Sequence, residues 1–126
     1  MPKTRAKRYQ QSELDSLFRR ADKQWEAGNL RSAFRLFLAA AKGGDSGCQS
    51  NLGYFYDVGI GVKPNRSLAL YWYQRAYRSG AGSAASNIGT VYRDERNFKE
   101  ALKWFERAVK LADGEANLEI GKNLLS

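Results

Sequence analysis

The chain has 126 residues, 43% of them hydrophobic and 27% charged, with a formal net charge of +8, no histidine and a single cysteine. That is enough chain for one domain with its own core. The composition excludes an internal disulfide framework and removes the commonest general base and metal ligand. No apolar run approaches the ~20 residues that a bilayer-crossing helix needs.

The positive excess lies early. Residues 1–20 carry six basic and two acidic side chains, residues 21–80 eight and four, and residues 81–126 seven of each. Such a field favours an acidic partner, a nucleic acid or an anionic surface, and it also aids solubility. Residues 1–11 read as a basic tail with Lys3, Arg5, Lys7 and Arg8. The tail has no apolar segment after it and so does not read as a secretory signal.

A first helix is expected over 11–27, with Ala21 and Trp25 where the small residue and the large aromatic of a unit stand, ended by Gly28-Asn29. A second covers 30–42, where Ala33, Phe37 and Ala40 fall at i, i+4 and i+7. Gly43-Gly44-Asp45 leads into a third over 46–58, which holds Leu52, Gly53 and Tyr56. A long turn from Gly59 to Asn65 precedes a fourth over 66–79, with Ala69, Trp72, Tyr73, Ala76 and Tyr77 in helical register. After Ser79-Gly80-Ala81-Gly82 a fifth helix spans 83–95 and carries Ile88, Gly89 and Tyr92. Glu95-Arg96-Asn97 separates it from a sixth over 98–112, with Ala101, Trp104, Phe105 and Ala108. Asp113-Gly114 marks a last turn before a seventh helix over 115–125, apolar at Leu118, Ile120, Leu124 and Leu125.

These elements repeat. The Ala-aromatic-Ala triads begin 36 and 32 residues apart, at Ala33, Ala69 and Ala101. From each of these to the next small residue, at Gly53, Gly89 and Gly121, the step is always 20 residues. Only the step inside a unit varies: 12 from Ala21 to Ala33, 16 from Gly53 to Ala69, 12 from Gly89 to Ala101. Fixed self-similarity of this length is the signature of stacked supersecondary units. The reading is a repeat domain over 12–126, with units near 12–44, 45–81 and 82–113 and a closing helix over 114–126. The fold class is an all-α solenoid of antiparallel helix pairs, three pairs plus a terminal helix. A glycine inside a helix costs roughly 0.5–1 kcal/mol relative to alanine. Matched glycines therefore imply close helix crossings, with the rings filling the core rather than holding a cofactor.

Units one and three resemble tetratricopeptide repeats, unit three most clearly through Ile88, Gly89, Tyr92, Phe98, Ala101, Phe105 and Ala108. Unit two resembles the longer Sel1-like repeat through Leu52-Gly53, Tyr56, Gly59, Gly61-Val62, Ala69, Trp72-Tyr73, Ala76 and Gly80. It departs at Asn65, where an aspartate is common. The resemblance implies a right-handed superhelix and an adaptor role in which other proteins are bound and complexes assembled.

In stacked pairs the first helices line the concave side. Helical geometry puts Asp15, Phe18, Asp22 and Trp25 there in unit one, Ser50, Tyr54 and Asp57 in unit two, and Ser86, Thr90 and Arg93 in unit three. Asn51 and Asn87 stand two residues before their glycines. In related superhelices an asparagine at this place hydrogen-bonds an extended peptide, because an amide offers donor and acceptor together. The other reading of these asparagines is a bond within the scaffold. Tetratricopeptide clamps for a C-terminal carboxylate use several basic residues, whereas these positions are mostly Ser, Tyr and Asp.

No chemistry of catalysis stands out. Gly59-x-Gly61 lacks the lysine of a phosphate loop, and no serine carries a nucleophile motif. Asp94-Glu95 and Glu13 with Asp15 read as exposed face charges. The expectation is a cytoplasmic, bacterial, non-enzymatic adaptor without cofactor or metal. Its partner is a protein or peptide, acidic in keeping with the charge, and a dimer through the terminal helix is left open. Two alternatives stand beside it: a small inhibitor or immunity-type protein blocking one acidic enzyme or toxin, and a basic nucleic-acid-associated repeat. Against the latter, the basic residues are not interleaved with exposed aromatics.

Overall fold

The computed structural model describes the backbone over residues 10–125 and the side chains over residues 10–111. Six helices follow one another among the described residues: α1 (Gln11–Glu26), α2 (Leu30–Lys42), α3 (Ser46–Val58), α4 (Arg66–Arg78), α5 (Ser83–Asp94) and α6 (Phe98–Leu125). There is no strand among them. The chain divides between Ala81 and Gly82 into two compact units.

In the first unit, α1 packs on α2 and α3 on α4 as hairpins, and α2 stacks on α3. Helix starts are set by side chains that satisfy otherwise orphaned N–H groups. The Asp45 carboxylate accepts from the Cys48 N–H at 2.8 Å, and Asn65 Oδ1 accepts from the Leu68 N–H at 3.0 Å. Asn65 thus starts α4 with the oxygen an aspartate would have offered. Gly59, at φ 85°, is the left-handed residue that ends α3.

The core between the hairpins is built of small residues and rings. Ala21, Ala33, Ala40, Ala41, Leu52, Ala69 and Ala76 are buried. The Phe37 ring stands edge-on to Phe55 at 5.2 Å, and Phe34 meets Tyr56 at 5.5 Å. Gly53 faces Tyr73, and a Cβ there would clash with that ring. Gln49, 1% exposed, is the one polar residue buried with them among the described residues. Its amide nitrogen donates to the Ala41 carbonyl at 3.1 Å, and its oxygen accepts from the Ser79 hydroxyl at 3.1 Å. One side chain of α3 thereby ties the ends of α2 and α4, with its polar atoms satisfied as burial requires.

In the second unit α5 packs on α6. A Cβ on Gly89 would lie 2.7 Å from the Phe105 ring, repeating the Gly53–Tyr73 crossing. The hairpins also share a cation–π contact at matched places: Arg75 over Trp72 at 5.0 Å and Arg107 over Trp104 at 4.3 Å.

Seven helices were expected and six are present, because α6 runs unbroken through Asp113-Gly114. A lone glycine costs a helix only about 1 kcal/mol relative to alanine, and only proline forces a break. With Ala112, Glu115 and Ala116 around it, Gly114 does not stop the helix. Residues 1–9 of the basic tail, and the side chains of Leu118, Ile120, Gly121, Leu124 and Leu125, lie outside what is described. Among the described residues no helix is long and apolar enough to cross a membrane.

Candidate functional site

The first helix of each hairpin carries the residues expected to meet a partner. On α3, Ser50, Asn51, Tyr54 and Asp57 stand at i, i+1, i+4 and i+7, within one face of a helix turning 100° per residue. On α5, Ser86, Asn87, Thr90 and Arg93 have the same spacing in the second unit.

On α1 the four expected residues divide. Asp15 is exposed, its carboxylate accepting from the Gln11 amide at 2.9 Å, and Asp22 is exposed. Phe18 is 40% exposed, but its ring edge rests on Phe37 at 5.9 Å. Trp25 is half-buried, its ring tilted against Phe55 of the second hairpin at 4.7 Å and edge-on to Phe37 of the first at 6.3 Å, so it packs between the hairpins.

On α3 the face is open. Tyr54 is 48% exposed and Asp57 is exposed. Asn51 is half-buried and makes no side-chain hydrogen bond among the described residues. The Ser50 hydroxyl is buried and has no partner among the described residues. Val58, one turn after Tyr54, is 51% exposed and extends the apolar part of the face. Sequence reasoning passed over Val58 because it directly precedes the helix-ending Gly59, although its i+4 spacing from Tyr54 was there to be read.

On α5 the face is more polar. Ser86 is exposed, and its carbonyl accepts from the Thr90 hydroxyl at 3.0 Å. Arg93 sits 3.3 Å from the Asp94 carboxylate, in an ion pair with both side chains more than half exposed. Such pairs contribute little to stability. Asn87 is half-buried and, like Asn51, has no side-chain hydrogen bond among the described residues. The two asparagines do not bond within the scaffold as described.

Two buried groups behind the α3 face keep their protons. Burial, then the charge of Asp57, then Tyr54 push the Tyr73 phenol well above its ordinary range, so it stays protonated behind the face. Burial, then Asp45 through its charge and a hydrogen bond, push the Cys48 thiol up likewise. A buried cysteine kept as a thiol is a poor nucleophile. No group of three His, Cys, Asp or Glu side chains among the described residues could hold a metal ion. The α3 face carries a half-exposed tyrosine ring and valine, a half-buried amide without a side-chain hydrogen bond among the described residues, and an exposed carboxylate.

Comparison with known proteins places these helices in a family context. Residues 26–45 and 46–80 match the family model for Sel1 repeats, and residues 82–114 match the model for tetratricopeptide repeats. Unit one was expected to be tetratricopeptide-like, and over 26–45 it matches the Sel1 repeat instead. That stretch holds a second helix and the following turn, where the two repeat types share the Ala-aromatic-Ala spacing. Among curated relatives, a putative Sel1-like repeat-containing protein of Acanthamoeba polyphaga mimivirus is 29% identical over 70 residues, 56% of this chain and 13% of that protein. An Arabidopsis thaliana protein named as an ERAD-associated E3 ubiquitin-protein ligase component is 29% identical over 89 residues, 70% of this chain and 14% of that protein. The chain therefore spans about one-seventh of the curated relatives it matches. A crystal structure of a Sel1 repeat protein from Oxalobacter formigenes superposes with a TM-score of 0.69 at 26% identity, covering 86% of this chain and 47% of that one. The architecture is that of an all-α solenoid.

Proposed function

The chain belongs to the tetratricopeptide and Sel1-like family of helical repeats, and from that premise we propose that it is an adaptor taking its partner on the exposed face of α3. The partner is a protein that lays an extended segment or a loop along Asn51, Tyr54, Asp57 and Val58. Asn51 hydrogen-bonds the incoming backbone, while Tyr54 and Val58 cover an apolar side chain. The observation that carries this reading is the Asn51 amide, half-buried and without a side-chain hydrogen bond among the described residues, beside a half-exposed tyrosine and valine. Phe18 and Asp22 extend the surface along α1. Ser86, Asn87, Thr90 and Arg93 offer a matching, more polar face in the second unit.

One further point supports binding over chemistry, and another bears on the compartment. The family's repeats serve as protein-interaction modules, and one relative is by name a component of a larger ligase. The lone cysteine suits a reducing compartment such as the cytoplasm.

Affinity capture from the source lysate tests the reading when wild type is compared with an Asn51→Ala/Tyr54→Ala double variant. Tyr54 is exposed and Asn51 is half-buried with no side-chain hydrogen bond among the described residues, and circular dichroism checks that the variant keeps its fold. The proposal expects a dominant partner that survives nuclease and falls at least tenfold in the variant. Equal recovery with both proteins would remove the α3 face from the account.

A further inference from the structure

We infer that the groove between α1 and α2 is an anion site that takes the acidic side chains of a peptide. The groove is an open furrow of about 370 Å³ lined by Arg20, Lys23, Gln24, Ser32, Arg35 and Leu36. Its charged lining is entirely cationic. Among the described residues, Arg20, Lys23 and Arg35 have no carboxylate within ion-pair distance. The Gln24 amide is held by its oxygen, which accepts from Asn29 Nδ2 at 2.8 Å, and this leaves its N–H groups as the free end. The furrow thus presents guanidinium, ammonium and amide donors with one hydroxyl, above the half-buried Leu36. Donors without a matching acceptor call for an anion, and two arginine forks suit carboxylates bidentately. The preceding residues 1–9 hold Lys3, Arg5, Lys7 and Arg8 and no acid, so that segment supplies no counter-charge.

The neighbouring groups choose the kind of anion. Arg20 and Lys23 also border a second furrow, of about 400 Å³, that contains Asp22 and Glu26. A continuous phosphate backbone running past the cations would meet these two carboxylates. Arg35 lines the first furrow and not the second, so a short acidic stretch can sit against it without running on past Asp22 and Glu26. No exposed ring lines either furrow for base stacking, which single-stranded nucleic acid binders use.

This site is separate from the α3 face, and the two fail independently. Fluorescence anisotropy with a labelled hexaglutamate peptide at low salt reads it directly. Wild type is expected to bind, with affinity falling as salt rises. An Arg20→Gln/Arg35→Gln variant is expected to weaken binding at least tenfold. A charge-matched Lys63→Gln/Lys99→Gln variant and Tyr54→Ala are expected to stay within about twofold. Equal weakening by both charge-removing variants would reduce the effect to net charge and overturn the site. So would the absence of wild-type binding. A single-stranded oligothymidylate that bound more tightly than the peptide through the same two arginines would overturn the acidic-peptide assignment.

Discussion

Residues that look alike in the sequence do different work here. Gln49 and Asn51 are both amides on α3, two positions apart. Gln49 is sealed in the core with both ends hydrogen-bonded, and Asn51 is half-buried with no side-chain hydrogen bond among the described residues. The repeat register pointed to Asn51, whereas Gln49 was not legible, because its burial depends on α4 returning Ser79 to meet it. Trp25 shows the converse. Its place on α1 suggested a partner surface, but the ring is spent on Phe55, a contact that only the stacking of the hairpins creates. At this scale the core makes a prediction about pH. Tyr73 and Cys48 hold their protons in the folded chain well above their ordinary ranges. The unfolded chain releases them at ordinary values, about 8.5 for cysteine and 10 for tyrosine. The unfolded state therefore binds fewer protons at high pH, and stability falls as pH rises through that range. Urea midpoints measured from pH 7 to 10.5 should drop, and a Cys48→Ala/Tyr73→Phe variant should show a flatter decline. An equal slope in the variant would contradict this account of the core.

At the scale of elements, much of the architecture was legible. The expected spans 30–42 and 46–58 coincide with α2 and α3. Gly28-Asn29, Gly43-Gly44-Asp45 and Gly59 all act as breaks, with Asp45 and Asn65 capping the helices that follow. The miss at Asp113-Gly114 has a plain cause: a single glycine lowers helix propensity without abolishing it. Of the matched glycines, Gly53 and Gly89 were read for what they are, sites of close crossing, and Gly121 lies outside the described side chains. Alanine at position 53 would push its methyl into the Tyr73 ring. Overpacking of this kind costs about 1–3 kcal/mol. Chemical denaturation of Gly53→Ala should show a loss in that range, and Gly89→Ala a similar loss against Phe105. A Gly53→Ala protein as stable as wild type would mean that α3 and α4 do not cross as closely as described.

At the scale of the molecule, the periodicity fixed a class of fold but left its use open, because the repeated residues are those that pack helices together. Function has to be read from positions the repeat does not constrain. Tyr54 and Val58 on α3 correspond to Thr90 and Asp94 on α5, so the two hairpins share a frame and present different surfaces. The basic groove between α1 and α2 was visible in the sequence only as scattered arginines. Helix pairing brings Arg20, Lys23 and Arg35 to one furrow and leaves Asp22 and Glu26 to its neighbour.

The central claim is that a partner protein docks on the α3 face, and site-specific photocrosslinking tests it most directly. A benzophenone amino acid would replace Tyr54 in one protein, Val58 in a second and the exposed Arg31 of α2 in a third, each irradiated in the source lysate. The account predicts one common protein crosslinked from positions 54 and 58 and absent from position 31. Crosslinks equal at all three positions, or confined to position 31, would contradict it.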